Sequence, residues 1–302
     1  MAARANLRIL VSGASGFIGT ELVRQLEADG HTVLRLVRLK PKTPSEVQWS
    51  PSIGALDPTM LGTVDAVVNL SGATTGRIPW TTRYRKQILD SRVDATRTLA
   101  AAISSATHPP TVFLSGSAIG YYGDRPGEQL TEHSAKGTGY FPDVVGAWEA
   151  AAQAVPKGTR VVTFRTGVVV GRGGAFTPLV PLTRFGLGSR FGSGRQDWSW
   201  ISLYDEAAGI RHLLTSKLSG PVNLTAPTPA TSDQVTSALA KRMRRPYVFR
   251  IPAWVITTLL GDAGRDLLLT SERVAPERLT ADGFTFRYQT VDSAIDAMFV
   301  RA

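Results

Sequence analysis

The chain has 302 residues, 43% of them hydrophobic and 19% charged, enough for one large or two modest cores. Lys and Arg outnumber Asp and Glu by 34 to 24, giving a net charge of +10 and a pI of about 10.2, so the protein attracts anions. It has no cysteine, which excludes disulfides, thiolate catalysis and Cys-based metal sites.

The N-terminus, MAARANLRIL, lacks an apolar run followed by a small-residue cleavage site, so no signal peptide is expected. No apolar stretch approaches the roughly 18 residues of a membrane span. AWVITTLLG comes nearest and is too short. A soluble, cytoplasmic protein with no membrane partner is therefore expected. The densest basic cluster, Lys241 to Pro246, reads as a solvated helix end. No nucleic-acid motif accompanies it, so no nucleic-acid partner is expected.

The strongest signal is LRILVSGASGFIGTELVRQLEADGHTVLRLVR: strand, glycine turn, helix, strand. Leu7 to Val11 is an apolar run, and Ile18, Leu22 and Leu26 recur at helical spacing. The turn carries Gly13, Gly16 and Gly19. The first suits a tight turn, the second lets backbone N–H groups approach a pyrophosphate, and the third lets helix and strand pack closely. The helix N-terminus then faces the anion, with Ser15, Phe17 and Ile18 beside it. An acid at the end of the second strand would bind the ribose 2′-OH of NAD. Here the strand ends in Arg38, Lys40 and Lys42, which suit a 2′-phosphate, so NADP(H) is expected over NAD(H).

Further βα units follow. Ala66 to Leu70 is a buried strand ending in the small turn Ser71-Gly72-Ala73. TTRYRKQILDSRVDATRTLAAAI is a long helix with Leu89, Val93, Thr96, Ala100 and Ile103 on one face. TVFLSGSAIGYYG is a strand running into a Ser/Gly/Tyr turn, residues 140–154 are a helix, and RVVTFRTGVVVG is a strand. This alternation predicts an α/β fold, a Rossmann-type doubly wound parallel sheet with a smaller C-terminal cap region. Ligands would sit at the strand ends: the glycine turn, Leu70 to Ala73, Ser115 to Ser117, and Arg165 to Val168 with its Thr166 and Gly167.

Several stretches carry a more specific likeness: SGASGFIG, VDAVVNLSGA, ILDSRVDAT, SGSAIGYYGD, RTGVVVG, GSGRQDWSWIS and SERVAPERLTADGFTFRY, spanning residues 7 to 290. The chain resembles the extended short-chain dehydrogenase/reductases, the superfamily of nucleotide-sugar epimerases, and within it an atypical subgroup named epimerase family protein. The resemblance implies an NADP(H)-binding domain over residues 1–168, completed by about 197–225. It also implies a substrate or cap region over 169–302, whose segment from about 247 to 295 is a domain of unknown function in the subgroup.

Catalytic members of the superfamily place a Ser or Thr after the strand equivalent to TVFLS, then a Tyr and a Lys four residues apart on the next helix, with a Glu commonly four further on. Ser117 and Glu149 fit the outer positions, but Phe141 stands where Tyr should be and Val145 where Lys should be. Tyr140 is one residue off register, about 100° around the helix. Two replacements are open. Tyr121 or Tyr122 could supply the phenol, or the pair could pack under a loop. Arg92 could supply the cation near the cofactor, or could pair with Asp90 or Asp94. Ser117 is either a substrate or nicotinamide contact or a turn hydroxyl bonded to its own backbone.

In the superfamily the stretch FGSGRQDWSWISLYDEA borders the substrate cleft, making Arg195, Gln196 and Trp198 candidate substrate contacts. Arg195 would meet a phosphate or carboxylate. Trp198 and Trp200 share a strand face and equally suit a core. The four histidines, at 31, 108, 133 and 212, have no metal-ligand spacing, so no metal is expected. Three functions stay open: an NADP(H)-dependent carbonyl reductase acting on a small-molecule substrate, for which an anionic group would suit Arg195, a nucleotide-sugar-type epimerase, and a catalytically weak NADP(H)-binding sensor or partner protein. The sequence does not fix the oligomeric state.

Overall fold

The structure is a computed structural model that describes residues 6–300. In chain order its elements begin with β1 (Arg8–Ser12), α1 (Phe17–Ala28), β2 (Thr32–Val37), β3 (Glu46–Gln48) and β4 (Ala66–Asn69). They continue with α2 (Thr82–Ser105), β5 (Val112–Ala118), β6 (Gln129–Leu130), α3 (Tyr140–Ala152), β7 (Arg160–Thr166) and β8 (Val168–Val170). Then come α4 (Phe176–Arg184), β9 (Ser189–Phe191), β10 (Trp200–Ser202), α5 (Leu203–Thr215), β11 (Gly220–Leu224) and α6 (Ser232–Arg242). The last are β12 (Phe249–Ile251), α7 (Ala253–Gly264), β13 (Arg273–Val274), α8 (Glu277–Ala281) and α9 (Val291–Met298).

Seven strands form one parallel sheet in the order β11-β7-β5-β4-β1-β2-β3. The chain steps outward from β1 to β3, then returns to the other side of β1 with β4. That reversal between β1 and β4 is the switch point of a doubly wound fold, where a ligand finds a crevice beyond the strand ends. β1 and β4 are buried on both faces, as their unbroken apolar runs require. One core, with Ile9, Val11, Leu22 and Phe164, lies against α1 and α5. Another, with Leu10, Val67, Leu99 and Phe113, lies on the α2 side.

Two expectations change. RVVTFRTGVVVG is two strands, because the chain leaves the main sheet at Gly167. The Gly167 N–H still bonds the Leu224 carbonyl of the edge strand, but the Val168 N–H already bonds Ser199 of the cap. A Cβ on Gly167 would stand 2.5 Å from the Ser199 oxygen, so only glycine permits this crossing. The long helix α2 buries Ile88 rather than Leu89, because it is covered by α3 as well as by the sheet.

Beyond Gly167 a third core, including Phe176, Trp198, Trp200, Leu239 and Ile295, organises the cap. The cap contains two small parallel pairs, β8–β10 and β9–β12. It is not one continuous segment. α5 and β11 return to the main sheet, and Leu279 and Phe286 near the C-terminus pack into the Rossmann core. Among the described residues no helix is long and apolar enough to cross a membrane.

Candidate nucleotide site and polar relay

The turn from β1 into α1 is built as a cradle. Gly13 has φ +70°, and a Cβ there would meet the Leu70 oxygen at 2.7 Å. A Cβ on Gly19 would meet the Gly13 oxygen at 2.2 Å, so helix and strand approach as closely as the glycine spacing predicted. Gly16 caps α1 without any side-chain hydrogen bond, and Ser15 is exposed beside it. The first-turn N–H groups of Phe17 and Ile18 are therefore directed at an incoming anion. The Phe17 ring packs against Gly171 and Gly173 of the cap loop.

One residue with no motif of its own holds the two loops together. Asn69, the buried last residue of β4, accepts from Ser12 Oγ at 2.7 Å and from the Ser71 N–H at 3.2 Å, and its Nδ2 donates to Thr96 Oγ1 at 2.8 Å. A polar residue closing the run AVVN was the available signal. The following turn is equally braced: the Ala73 N–H bonds Ser91 Oγ at 2.9 Å, and the Ala73 oxygen accepts from Arg92 Nη1 at 3.0 Å.

Arg92 pairs with neither Asp90 nor Asp94; Lys86 takes Asp90 instead. Its guanidinium lies against Gly72, where a Cβ would stand 3.2 Å from Cζ, and over the Trp148 ring at 5.2 Å. Burial pulls its pKa down to about 10, so it is still charged at neutral pH. At the end of β2, Arg38, Lys40 and Lys42 are exposed, and none forms an ion pair among the described residues. The cradle fits a pyrophosphate, and this unpaired basic group fits a 2′-phosphate.

At the end of β5 the structure joins residues that the sequence could only name separately. Ser117 Oγ donates to Glu149 Oε1 at 2.6 Å. Arg165 grips the same carboxylate with Nε at 2.8 Å and Nη2 at 2.9 Å, and its Nη1 donates to Tyr122 Oη at 2.9 Å. Tyr122 donates onward to Asn223 Oδ1 at 2.7 Å, and the Asn223 N–H reaches Glu132 at 3.0 Å. Tyr122 is fully buried, and burial pushes its phenol up to about 12. Burial alone would lower the Arg165 pKa, but the Glu149 hydrogen bonds and charge raise it overall.

This relay corrects two expectations. Tyr122 is a packing and hydrogen-bonding residue with no free hydroxyl for a ligand. Arg165 is buried, and its guanidinium is committed to Glu149 and Tyr122 rather than free for a ligand. Tyr121 differs from its neighbour: it is only partly buried, its ring covers Arg165 at 3.5 Å, and its hydroxyl has no hydrogen-bond partner among the described residues. Ser115 is buried, with its hydroxyl 3.4 Å from the Gly116 oxygen, and Gly116 packs against Trp148. Thr166 bonds Glu206 Oε1 at 2.6 Å, and Val168 is half-buried. Glu206 was not foreseen. It is fully buried in α5, its Oε2 has no partner, and burial pushes it up to about 8.

On α3, Phe141 meets Trp80 edge-on at 5.2 Å, Val145 is buried, and Tyr140 Oη donates to the Arg85 oxygen at 2.7 Å. No side chain of α3 thus restores the Tyr/Lys pair. Of the three substrate candidates, only Arg195 is exposed. Gln196 is buried and donates to the Phe191 and Leu268 oxygens, and Trp198 stacks on Phe191 in the cap core, so both are structural. Among the described residues no group of three or more acidic or histidine side chains could hold a metal.

A seven-stranded Rossmann sheet with this cradle at its switch point defines an NAD(P)-binding protein of the short-chain dehydrogenase/reductase fold. The chain belongs to the NAD dependent epimerase/dehydratase family, which residues 9–225 match, and residues 251–298 match DUF1731, a domain of unknown function. It is 38% identical over 294 residues to an epimerase family protein of Mycobacterium tuberculosis, covering 96% of this chain and 97% of that one. The crystal structure of human epimerase family protein SDR39U1 with NADPH superposes with a TM-score of 0.90 at 32% identity, covering 97% of this chain and 99% of that one. A nucleoside-diphosphate sugar epimerase from Corynebacterium glutamicum gives a TM-score of 0.79 at 31% identity, over 96% of this chain and 57% of that one.

Proposed function

We propose that this protein binds NADP(H) and reduces a carbonyl group of a small-molecule substrate. The reading rests on Tyr121, a phenol without a hydrogen-bond partner, held on the Arg165 face four residues past Ser117. The NADPH seen in the human relative and the unpaired Arg38 cluster support the choice of cofactor. The cradle residues Gly13, Ser15, Gly16, Phe17 and Ile18 would hold the pyrophosphate, Arg38 the 2′-phosphate, and the Leu70–Ala73 turn the middle of the dinucleotide. NADPH held there would supply the hydride for a carbonyl carbon.

The chain then has to orient the substrate and supply a proton. A neutral phenol is a competent donor to a developing alkoxide, whereas alcohol oxidation needs a base and suffers more from the missing Lys. Ser117 has committed its proton to Glu149, so it can accept a hydrogen bond from the substrate but not donate one while that bond holds. Arg92 supplies the local positive charge, and Arg195 would meet an anionic group on the substrate.

The test is NADPH oxidation across a panel of aldehydes and ketones. Turnover should fall about a hundredfold in Tyr121→Phe, with NADPH affinity kept within a few fold. Net cofactor consumption also separates reduction from epimerisation, which leaves the cofactor unchanged overall. The committed hydroxyls of Ser117, Tyr122 and Tyr140 favour a second reading, a cofactor-binding sensor or partner protein. Tight NADPH binding with no turnover on any carbonyl would select it.

A further inference from the structure

The cap carries a face that the nucleotide site does not use. Phe185 and Val248 are 78% and 77% exposed, and Leu182, Leu187 and Phe249 stand out beside them. Pairing of β9 with β12 sets Phe249 opposite Ser189, and Gly186 lies against Pro246, so these residues come from adjoining chain segments. Large apolar side chains exposed together mark an interaction surface.

The charge around them is predominantly positive, and Asp233 beside them is neutralised by Arg190 and hydrogen-bonded by Tyr247 Oη. There is no Asp or Glu between Glu149 and Asp197, nor between Asp233 and Asp262, and these two acid-free segments supply the face. Arg184, Lys241, Arg244 and Arg245 are exposed there and form no ion pair among the described residues; Arg242 is tied to Asp296. The complement of such a face is apolar at its centre and anionic at its rim. A second copy would bring cations against cations. The cavity lined by Leu182 and Leu187 holds about 30 Å³, room for about one water molecule, so there is no groove to anchor a peptide side chain.

We infer that this face of the cap docks on the surface of an anionic lipid bilayer, with Phe185, Val248 and Phe249 entering the headgroup boundary and the basic residues meeting lipid phosphates and carboxylates. A peripheral contact of this kind needs no long apolar run, so hydropathy along the chain does not reveal it. The inference is independent of the reaction assigned to the nucleotide site.

The experiment is co-sedimentation of the full chain with vesicles of phosphatidylcholine, with and without phosphatidylserine, at low and high salt. The protein should partition onto the phosphatidylserine vesicles alone and come off as salt rises. The triple change Lys241→Glu, Arg244→Glu, Arg245→Glu should weaken partitioning roughly a hundredfold. The pair Phe185→Ser and Phe249→Ser should weaken it about tenfold. All variants should keep their NADPH titration, which certifies the fold. Equal partition onto both vesicle types by the unaltered protein would overturn the inference, as would binding that survives either set of changes. A salt-sensitive dimer broken by Phe249→Ser, without vesicle binding, would instead assign the face to a second copy.

Discussion

Arg165 and Glu149 meet through two parallel hydrogen bonds of 2.8 and 2.9 Å, with their side chains only 3% and 14% exposed. The pair ties β7 to α3 behind the end of β5, and both Ser117 and Tyr122 hang on it. Removing one partner leaves a buried charge without its counterion, which costs about 3–5 kcal/mol. Arg165→Met should therefore lower the unfolding free energy by about that amount in urea titration. Adding Glu149→Gln should restore part of it. An Arg165→Met protein as stable as the parent would show that the relay is not structural.

The basic end of β2 makes a prediction about cofactor choice. Charge-assisted contacts to a phosphate are worth about 1.5–3 kcal/mol each, or tenfold and more in affinity. Arg38→Ala should weaken NADPH by that factor and leave NADH within about twofold, as read by fluorescence titration. Equal losses for the two cofactors would remove Arg38 from the 2′-phosphate site.

Tyr140 offers a control for the catalytic phenol. Its hydroxyl is engaged with the Arg85 carbonyl, so Tyr140→Phe should cost about 0.5–1.5 kcal/mol of stability and leave NADPH oxidation within about twofold. A collapse of turnover in this variant would move the phenol from Tyr121 to α3.

Glu206 makes stability depend on pH. Burial raises its folded pKa to about 8, above the 4.5 of the free side chain. Between those values the folded chain binds more protons than the unfolded chain, so stability is fully present below the unfolded pKa and is lost as pH rises toward 8. This carboxyl contributes a fall of about 1.4 kcal/mol per pH unit across that interval. Glu206→Gln should flatten the decline in thermal unfolding scans taken across it. An unchanged slope would mean that other groups carry the pH dependence.

The residues whose role is local were legible in the sequence. The spacing of Gly13, Gly16 and Gly19, framed by a strand and a helix, determined the cradle, because turn conformation and helix–strand approach depend on residues near one another in the chain. The basic ending of β2 and the alternation of apolar strands with helices were legible for the same reason. Partners distant in sequence were decided only in three dimensions. Tyr121 and Tyr122 are adjacent in the chain, yet one keeps its hydroxyl while the other gives it to Asn223, 101 positions away. Asn69, Glu206 and the Ser117–Glu149–Arg165 relay acquire their roles from strands and helices brought together by the sheet. The basic cluster after α6 read as a plain helix end until β12 paired with β9 and set it beside Phe185 and Leu187. Burial and hydrogen-bond partnership are properties of the packed sheet and its cap, and no spacing along the chain encodes them.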